Sequence, residues 1–251
     1  MNLPNLKEAK KRDEKEVLYI NQQLSGNNSF AGKKYFLRTY GCQMNEHDSE
    51  EIEGILEYLG MTPTEEMESA DVIILNTCAI RENAHDKVFG YLGRVKHLKK
   101  ERPDVILAIG GCMSQEEKIV SEIKERHPYV NIVFGTHNIH ELGEYLLDCA
   151  SSKQDIEVFS KQGDVIENIR YKRASRINAW VNIIYGCDKF CTYCIVPYTR
   201  GKERSRKLEE IVKEVEKLKE DGYQEVTLLG QNVNAYGHDL KENVLFSDFV
   251  A

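Results

Sequence analysis

Three times in this chain an apolar run leads into a cysteine, and one strand plus one helix separates each cysteine from the next. Tyr35-Phe36-Leu37 leads to Thr39-Tyr40-Gly41-Cys42, Val72-Ile73-Ile74-Leu75 to Asn76-Thr77-Cys78, and Val105-Ile106-Leu107-Ala108-Ile109 to Gly110-Gly111-Cys112. The cysteines lie 36 and then 34 residues apart. Between them are helical patterns, one with Ile52, Ile55, Leu56 and Leu59 on a single face and Gly60 as its stop, the next with Val88, Tyr91, Leu92 and Val95. A third helix is expected over 114–126, and a fourth strand, Ile132-Val133-Phe134, precedes Gly135 and a helix reaching about Cys149. Continuous apolar strands alternating with helices predict an α/β fold: a doubly wound parallel sheet covered on both faces.

In such a sheet all C-terminal strand ends share one edge, the edge at which these folds bind ligands. The order predicts that Cys42, Cys78 and Cys112 gather there. Buried strand-end thiols are the plain alternative, since Cys is often a core residue, but three repeats of one position fit it poorly. Three thiolates without a fourth protein ligand suit a 4Fe–4S cluster with one open iron or a catalytic zinc with an open position. The glycines before Cys42 and Cys112 read as room for a bulky group close to the backbone. Cys149 falls inside a helix, out of this register, and reads as a packed or surface thiol.

The remaining sequence divides around this block. Residues 1–31 read as a polar arm with one loose helix ending near 25–28, residues 32–150 as the first domain, and 151–176 as a linker with a short hairpin near Gln162-Gly163. Residues 177–251 begin a second strand–helix fold: a strand at 179–184, a cysteine-rich loop, a basic loop, and an amphipathic helix over 208–220 with Ile211, Val215 and Leu218 inward. A strand over 225–229 then runs into Gly230-Gln231-Asn232-Val233-Asn234. No apolar stretch approaches the roughly 18 residues that span a bilayer, and the Lys- and Glu-rich start lacks the apolar segment of a secretory signal. A cytoplasmic protein with no membrane partner is expected. There the seven cysteines favour metal ligation over disulfides. The net charge of −7 argues against a surface that binds nucleic acid all over. Yet residues 170–207 hold ten basic side chains against two acidic ones, a local +8 that leaves −15 for the rest. This is either a solvated basic loop or a local field for phosphate.

The most specific signal is Gly186-Cys187-Asp188-Lys189-Phe190-Cys191-Thr192-Tyr193-Cys194, a Cys-x3-Cys-x2-Cys loop after a strand. Three thiolates on one tight loop wrap three irons of a 4Fe–4S cube and leave the fourth free. A structural zinc site wants two separated ligand pairs, and no second pair is in range. This loop resembles the signature of the radical S-adenosylmethionine (SAM) superfamily. The longer run with Ile195-Val196-Pro197-Tyr198-Thr199-Arg200-Gly201 resembles its methylthiotransferase branch, as do Thr39 to Glu50, Asn76-Thr77-Cys78, Gly110-Gly111-Cys112 and Gly230 to Asn234. The match covers about residues 33–237 and is nearest to the bacterial branch that modifies isopentenylated adenosine beside the tRNA anticodon.

The resemblance implies two 4Fe–4S clusters. One, auxiliary, is held by Cys42, Cys78 and Cys112; the other, held by Cys187, Cys191 and Cys194, has a free iron that chelates SAM, whose reductive cleavage yields a 5′-deoxyadenosyl radical. It also implies Tyr193, Arg200, Gly230, Gln231 and Asn232 as cofactor-binding residues, tRNA as substrate, flavodoxin or ferredoxin as electron donor, and a monomer. Arg200, Lys202, Arg204 and Arg206 would meet SAM carboxylate or tRNA phosphate, with a solvated loop as the plain alternative. The family continues through a fuller partial barrel and a small β-rich RNA-binding domain. This chain shows about two barrel strands, so a C-terminally truncated protein, not competent by itself, is expected. Two other readings stay open: a sister methylthiotransferase for another tRNA base or a ribosomal protein, and a truncated, catalytically defective iron–sulfur protein.

Overall fold

In the computed structural model of the chain, the described residues are 17–79, 82–149, 155–157, 163–241 and 244–249, without the side chains of 82–86, 155–157 and 249. They form two compact units, one of residues 22–160 with 170–172, the other of the residues before 22, 161–169 and those from 173 onward. The strands in chain order are β1 (Tyr19–Asn21), β2 (Lys34–Tyr40), β3 (Thr62–Pro63), β4 (Val72–Thr77), β5 (Ile106–Gly111), β6 (Ile132–Phe134), β7 (Asp155–Glu157), β8 (Val165–Glu167), β9 (Asn178–Asn182), β10 (Ile184–Tyr185), β11 (Arg204–Ser205) and β12 (Glu225–Leu229). The helices are α1 (Gln43–Tyr58), α2 (Glu82–Glu101), α3 (Glu117–Arg126), α4 (Leu142–Cys149), the single turn α5 (Val196–Thr199) and α6 (Leu208–Glu220).

The first unit is a six-stranded sheet in the order β3-β2-β4-β5-β6-β7, every pair parallel. The chain moves from β2 outward to β3, crosses back over β2 to β4, and then advances strand by strand in the opposite direction. That reversal puts α1 on one face and α2 and α3 on the other, and α4 after β6 lies on the face of α1, so both faces are covered, as expected for a doubly wound sheet. Alternation along each strand shows it directly. Tyr35, Ile74, Ala108 and Phe134 pack with Ile52, Ile55, Leu56 and Leu59 of α1 and with Leu142, Tyr145 and Leu146 of α4. Phe36, Ile73, Leu75, Leu107, Ile109 and Val133 pack with Val88, Leu92 and Val95 of α2 and Ile123 of α3. Burying each such side chain contributes about 1.5–3 kcal/mol. Cys149 is buried in the first of these two cores, as a packed thiol.

Several short segments differ from the sequence expectation. No helix appears in residues 17–31, and a helix in residues 1–16 lies outside the described residues. Tyr19–Asn21 instead forms β1, parallel to β8 in the second unit. Leu24 and Phe30 pack on the first core, and the amides of Asn28 and Phe30 donate to the Tyr58 and Leu59 carbonyls at the end of α1. The stretch expected to be a linker supplies two strands. They do not form a hairpin, because β7 extends the first sheet while β8 pairs with β1; the turn at Gln162 lies outside the described residues. Residues 170–172 lie along α1. Tyr171 stacks on His47 at 4.7 Å, the Lys172 amide donates to the Glu50 carbonyl, and the Lys172 ammonium meets Glu57 at 3.0 Å. Gly54 fits beneath this strap, since a Cβ there would come within 2.1 Å of the Arg170 carbonyl oxygen.

The second unit contains a parallel strand–helix–strand, β9-α6-β12, with Leu229 opposite Asn182. Ala179, Val181, Ile183, Ile211, Leu218 and Tyr236 form its core. A two-stranded antiparallel ribbon, β10–β11, extends from the end of β9. No helix among the described residues is long and apolar enough to cross a membrane.

The first turns of α1 bury Asn45, His47, Asp48, Ser49, Glu50 and Glu51. Burial, with Asp48 adding to it, pushes the Glu51 carboxyl up to about 8. The folded chain therefore keeps a proton that the unfolded chain releases above about pH 4.5. The stabilisation is complete below that pH and is lost as pH rises toward 8, with a slope of up to about 1.4 kcal/mol per pH unit. Denaturant unfolding followed by circular dichroism at pH 5, 6.5 and 8 is expected to show this decline in the parent chain and a flatter profile in Glu51→Gln. Equal slopes would mean that Glu51 is ionised in the fold.

Candidate metal centres

Cys42, Cys78 and Cys112 lie at one edge of the first sheet. Cys78 directly follows β4 and Cys112 directly follows β5, and the register sets Thr77 opposite Gly111. Their backbones are thus about one strand spacing, ~4.8 Å, apart. Tyr40 of β2 lies opposite Thr77, and two residues later Cys42 forms the N-cap of α1. Cys78 and Cys112 are buried and Cys42 is half-buried. The edge is the one where strand order reverses between β2 and β4, the usual crevice of such folds. Among the described residues no three His, Cys, Asp or Glu side chains form a closed ligand set. Proximity here is a property of the backbone, and the donor chemistry, thiols only, fits an iron–sulfur group or another soft metal.

The glycines at this edge have a different role from the one read in the sequence. A Cβ on Gly41 would lie 2.2 Å from Asn45 Oδ1, and a Cβ on Gly111 2.4 Å from Asn76 Oδ1. They make room for two asparagine side chains, not for a cofactor. Gly111 also has φ +92° and ψ −167°, a conformation that is essentially glycine's own. Asn76, which reads in the sequence either as a residue that could position groups near the cysteines or, more ordinarily, as a turn residue at a strand end, lies within β4 and is fully buried. Its Nδ2 donates to the Asn45 carbonyl and to Ser49 Oγ, both at 2.8 Å. Nothing in the sequence distinguishes Asn45 from its polar neighbours.

The second triplet is made by one loop. Cys187 is buried, Cys194 half-buried and Cys191 exposed. The loop is closed by the ribbon, with Ile184 opposite Ser205 and Tyr185 opposite Arg204, and by the Cys187 amide donating to the Gly201 carbonyl at 3.0 Å. Gly186, at φ +70°, is required because a Cβ would come within 2.0 Å of the Lys202 carbonyl oxygen. Phe190 adopts φ +45°, and the Cys194 amide donates to the Cys191 carbonyl, which turns the chain back between these cysteines. Burial pushes the Cys187 thiol up; a backbone hydrogen bond at Lys189 opposes this, while Glu203, Cys194 and Cys191 add to it. Tyr193 is 84% exposed beside the last cysteine. Gly230, Gln231 and Asn232 follow β12, and Gly230 packs on Ile184 of the ribbon, so they share the strand-end edge from which the cysteine loop departs.

The basic stretch is not a solvated loop. Arg200, Arg204 and Arg206 are buried. Arg206 donates to Glu167 through Nε at 2.8 Å and Nη2 at 2.5 Å, and through Nη1 to Glu214 at 2.7 Å and the Asn182 carbonyl at 2.9 Å. Desolvation works against its charge, but Glu214, Tyr185 and Glu167 outweigh that and hold it protonated. Burial pushes the Glu167 carboxyl up while Arg206 opposes it. Arg173 joins the network through Glu214 at 2.8 Å, and Arg204 lies 5.8 Å from the Tyr185 ring centre. Arg176, Lys189 and Lys207 remain exposed in this unit. Arg206→Met is expected to destabilise the second unit by about 3–5 kcal/mol, because it strands buried carboxylates. Adding Glu167→Gln should restore part of that loss in denaturant unfolding, and full stability of the single variant would contradict the ion-pair reading.

Residues 34–135 match the uncharacterized protein family UPF0004, and residues 181–246 match the radical SAM superfamily. The chain is similar to proteins named tRNA-2-methylthio-N(6)-dimethylallyladenosine synthase. It is 59% identical over 244 residues to the one from Bacillus pumilus (strain SAFR-032), which takes in 95% of this chain and 48% of that protein. The identity is 57% over 245 residues with the one from Bacillus subtilis (strain 168), again 95% of this chain and 48% of the relative. With the one from Staphylococcus aureus (strain Newman) it is 57% over 244 residues, 95% of this chain and 47% of the relative. The chain spans about half the length of the curated relatives it matches. It thus carries a match to UPF0004 followed by a match to the radical SAM superfamily.

Proposed function

We propose that this chain is part of a methylthiotransferase that adds a methylthio group to C2 of N6-isopentenyladenosine next to the tRNA anticodon, by radical SAM chemistry. The observation that carries the reading is the pair of thiol triplets, each at the C-terminal edge of parallel strands in its own unit. Relatives named for this synthesis, similar along 95% of the chain, support the choice of substrate.

In this reading Cys187, Cys191 and Cys194 would hold the 4Fe–4S cluster that binds SAM, and Cys42, Cys78 and Cys112 would hold an auxiliary 4Fe–4S cluster. When bound, the first cluster would supply the electron that cleaves SAM to a carbon-centred radical strong enough for an unreactive aromatic C–H, and the auxiliary cluster the sulfur that replaces that hydrogen. The chain's own residues position and shield. The ribbon and the Gly201 hydrogen bond fix Cys187, while exposed Cys191 and Tyr193 leave the loop reachable by SAM and by an electron donor such as flavodoxin or ferredoxin. Tyr193, Arg200, Gly230, Gln231 and Asn232 contribute SAM contacts, with the backbone after β12 lining the same edge. Arg176, Lys189 and Lys207 offer exposed positive charge for tRNA phosphate. The assembly works in the cytoplasm as a monomer, with residues 32–150 and 177–251 as its two domains in this chain.

Anaerobic reconstitution is expected to load two clusters. Replacing either cysteine triplet with alanine should leave about four irons per chain, by cube stoichiometry. Loss of all iron, or zinc at both sites, would overturn the two-cluster reading. Reductive SAM cleavage to 5′-deoxyadenosine, lost only with the Cys187 triplet, separates an enzyme from a defective iron–sulfur protein. Nucleoside mass spectrometry of tRNA from a deletion strain decides between isopentenyladenosine and another base: 2-methylthio-N6-isopentenyladenosine should vanish there.

A further inference from the structure

Backbone pairing joins the segments of Cys78 and Cys112 up to Thr77 and Gly111, but it stops short of Cys42. The β2–β4 ladder ends at Tyr40 and Thr77, and Cys42 lies beyond it on the turn into α1. What spans the gap is a pair of buried amides. Asn45 Oδ1 accepts from the Cys42 backbone N–H at 3.3 Å and from the Cys42 thiol at 3.5 Å. On its other side, Asn45 Nδ2 donates to the Thr77 carbonyl at 3.3 Å, one residue before Cys78, and to Asn76 Oδ1 at 3.4 Å. Asn76 Nδ2 returns a bond to the Asn45 carbonyl, and Asn76 Oδ1 lies against Gly111, one residue before Cys112. Both side chains are fully buried. Each amide is thus fitted against a glycine that directly precedes a cysteine, and the pair touches all three cysteine-bearing segments.

We propose that Asn45 and Asn76 are positioning residues that set the relative placement of Cys42, Cys78 and Cys112, acting as a spacer between strand ends. The inference rests on the reading of these cysteines as one ligand set. Length is then as important as polarity. Gln at position 45 keeps the amide but is one methylene longer, with Gly41 and Thr77 leaving no room for it. Asp at position 45 keeps the shape and the bond to the Cys42 amide, but turns both donated bonds into repulsions with the Thr77 carbonyl and Asn76 Oδ1. Ser49→Ala removes a bond of the same network on the side away from the cysteines.

The test uses the full chain with Cys149, Cys187, Cys191 and Cys194 replaced by alanine, so that only the three thiols remain. Phenylarsine oxide, which captures two thiols only when they are close, probes the metal-free protein; iron, sulfide and the electron paramagnetic resonance spectrum of the reduced cluster probe the loaded one. Asn45→Gln and Asn45→Asp are expected to weaken arsenical capture at least tenfold, to lower iron retention by half or more, and to change the spectrum of what remains. Ser49→Ala is expected to lower the melting temperature with arsenical capture and spectrum unchanged. Arsenical capture and cluster signature equal to the parent's in both Asn45 variants would overturn the proposal. So would losses that follow melting temperature equally across all three variants, since that is the pattern of mere stabilisation. Arsenical results as expected with no iron bound by the parent would leave the spacer standing and remove the cluster reading instead.

Discussion

The reversal of crossover direction at β2 is the constraint on which the first unit depends. Crossovers of one hand place the helices of strands that advance one way on one face, which holds for α2 and α3, whereas α4 after β6 lies with α1 on the opposite face. By going first to β3 and then back past β2 to β4, the chain sends α1 to one face and α2 to the other. The loops after β2 and β4 therefore diverge, and a crevice opens between two strand ends that remain paired up to Tyr40 and Thr77. Cys42 and Cys78 stand on its two sides and Cys112 one strand further along. A sheet running in a single direction would have covered the same edge with loops turning the same way.

That crevice carries a polar layer that an ordinary core would not tolerate. Asn45, Asn76, Thr77 and Ser49 are buried within or beside an apolar sheet, and their hydrogen bonds to one another and to the strand ends offset the cost of desolvation. A half-satisfied network in this place would cost more than an apolar one, which is why glycine is needed at 41 and 111: only without a Cβ do the amides reach their partners. The second unit solves a similar problem with charge. Arg206 is satisfied on all sides by Glu167, Glu214 and a strand carbonyl, and its backbone amide is bound to the Ile183 carbonyl, so the ribbon that closes the cysteine loop is anchored from below.

Legibility in the sequence followed length and periodicity. The helix over 208–220 and the strand over 225–229 stand where the pattern put them, β6 coincides with its apolar run, and β2, β4 and β5 overlap theirs and continue past their ends toward the cysteines. The strands β1, β7 and β8 were not legible: β6 is as short but wholly apolar, whereas each of these carries a polar or charged residue, shows no run, and exists only through a distant partner. Val165 and Ile166 are buried by pairing with residues about 146 positions earlier in the chain. The sheet edge holding Cys42, Cys78 and Cys112 was readable because topology alone determines it. The fate of the basic stretch was not: a run of arginines gives no sign of which ones meet carboxylates, and Glu167 comes from the segment that looked like a linker. Asn76 stood out as a residue that could position groups near the cysteines, but its pairing with Asn45 escaped for the same reason, since it joins residues 31 apart in sequence.

The two cysteine triplets are assembled by different physics, and this divides how ligand binding couples to folding. Cys187, Cys191 and Cys194 are close in sequence, and their loop brings them together through local turns, so a partly folded chain already holds them near one another. Cys42, Cys78 and Cys112 come together only when three parallel strands have paired in register. Those contacts are distant in sequence and are expected to form late and slowly. A group held by thiols that are near only in the native state binds with a free energy that adds to the stability of that state. Binding at the first triplet therefore reinforces the β2–β4–β5 edge, and with it the doubly wound sheet, whereas binding at the second reinforces chiefly its own loop. The buried amide pair belongs to the first case: it is the part of the fold that places the ligands before any group binds, and it lessens the ordering that binding would otherwise have to impose.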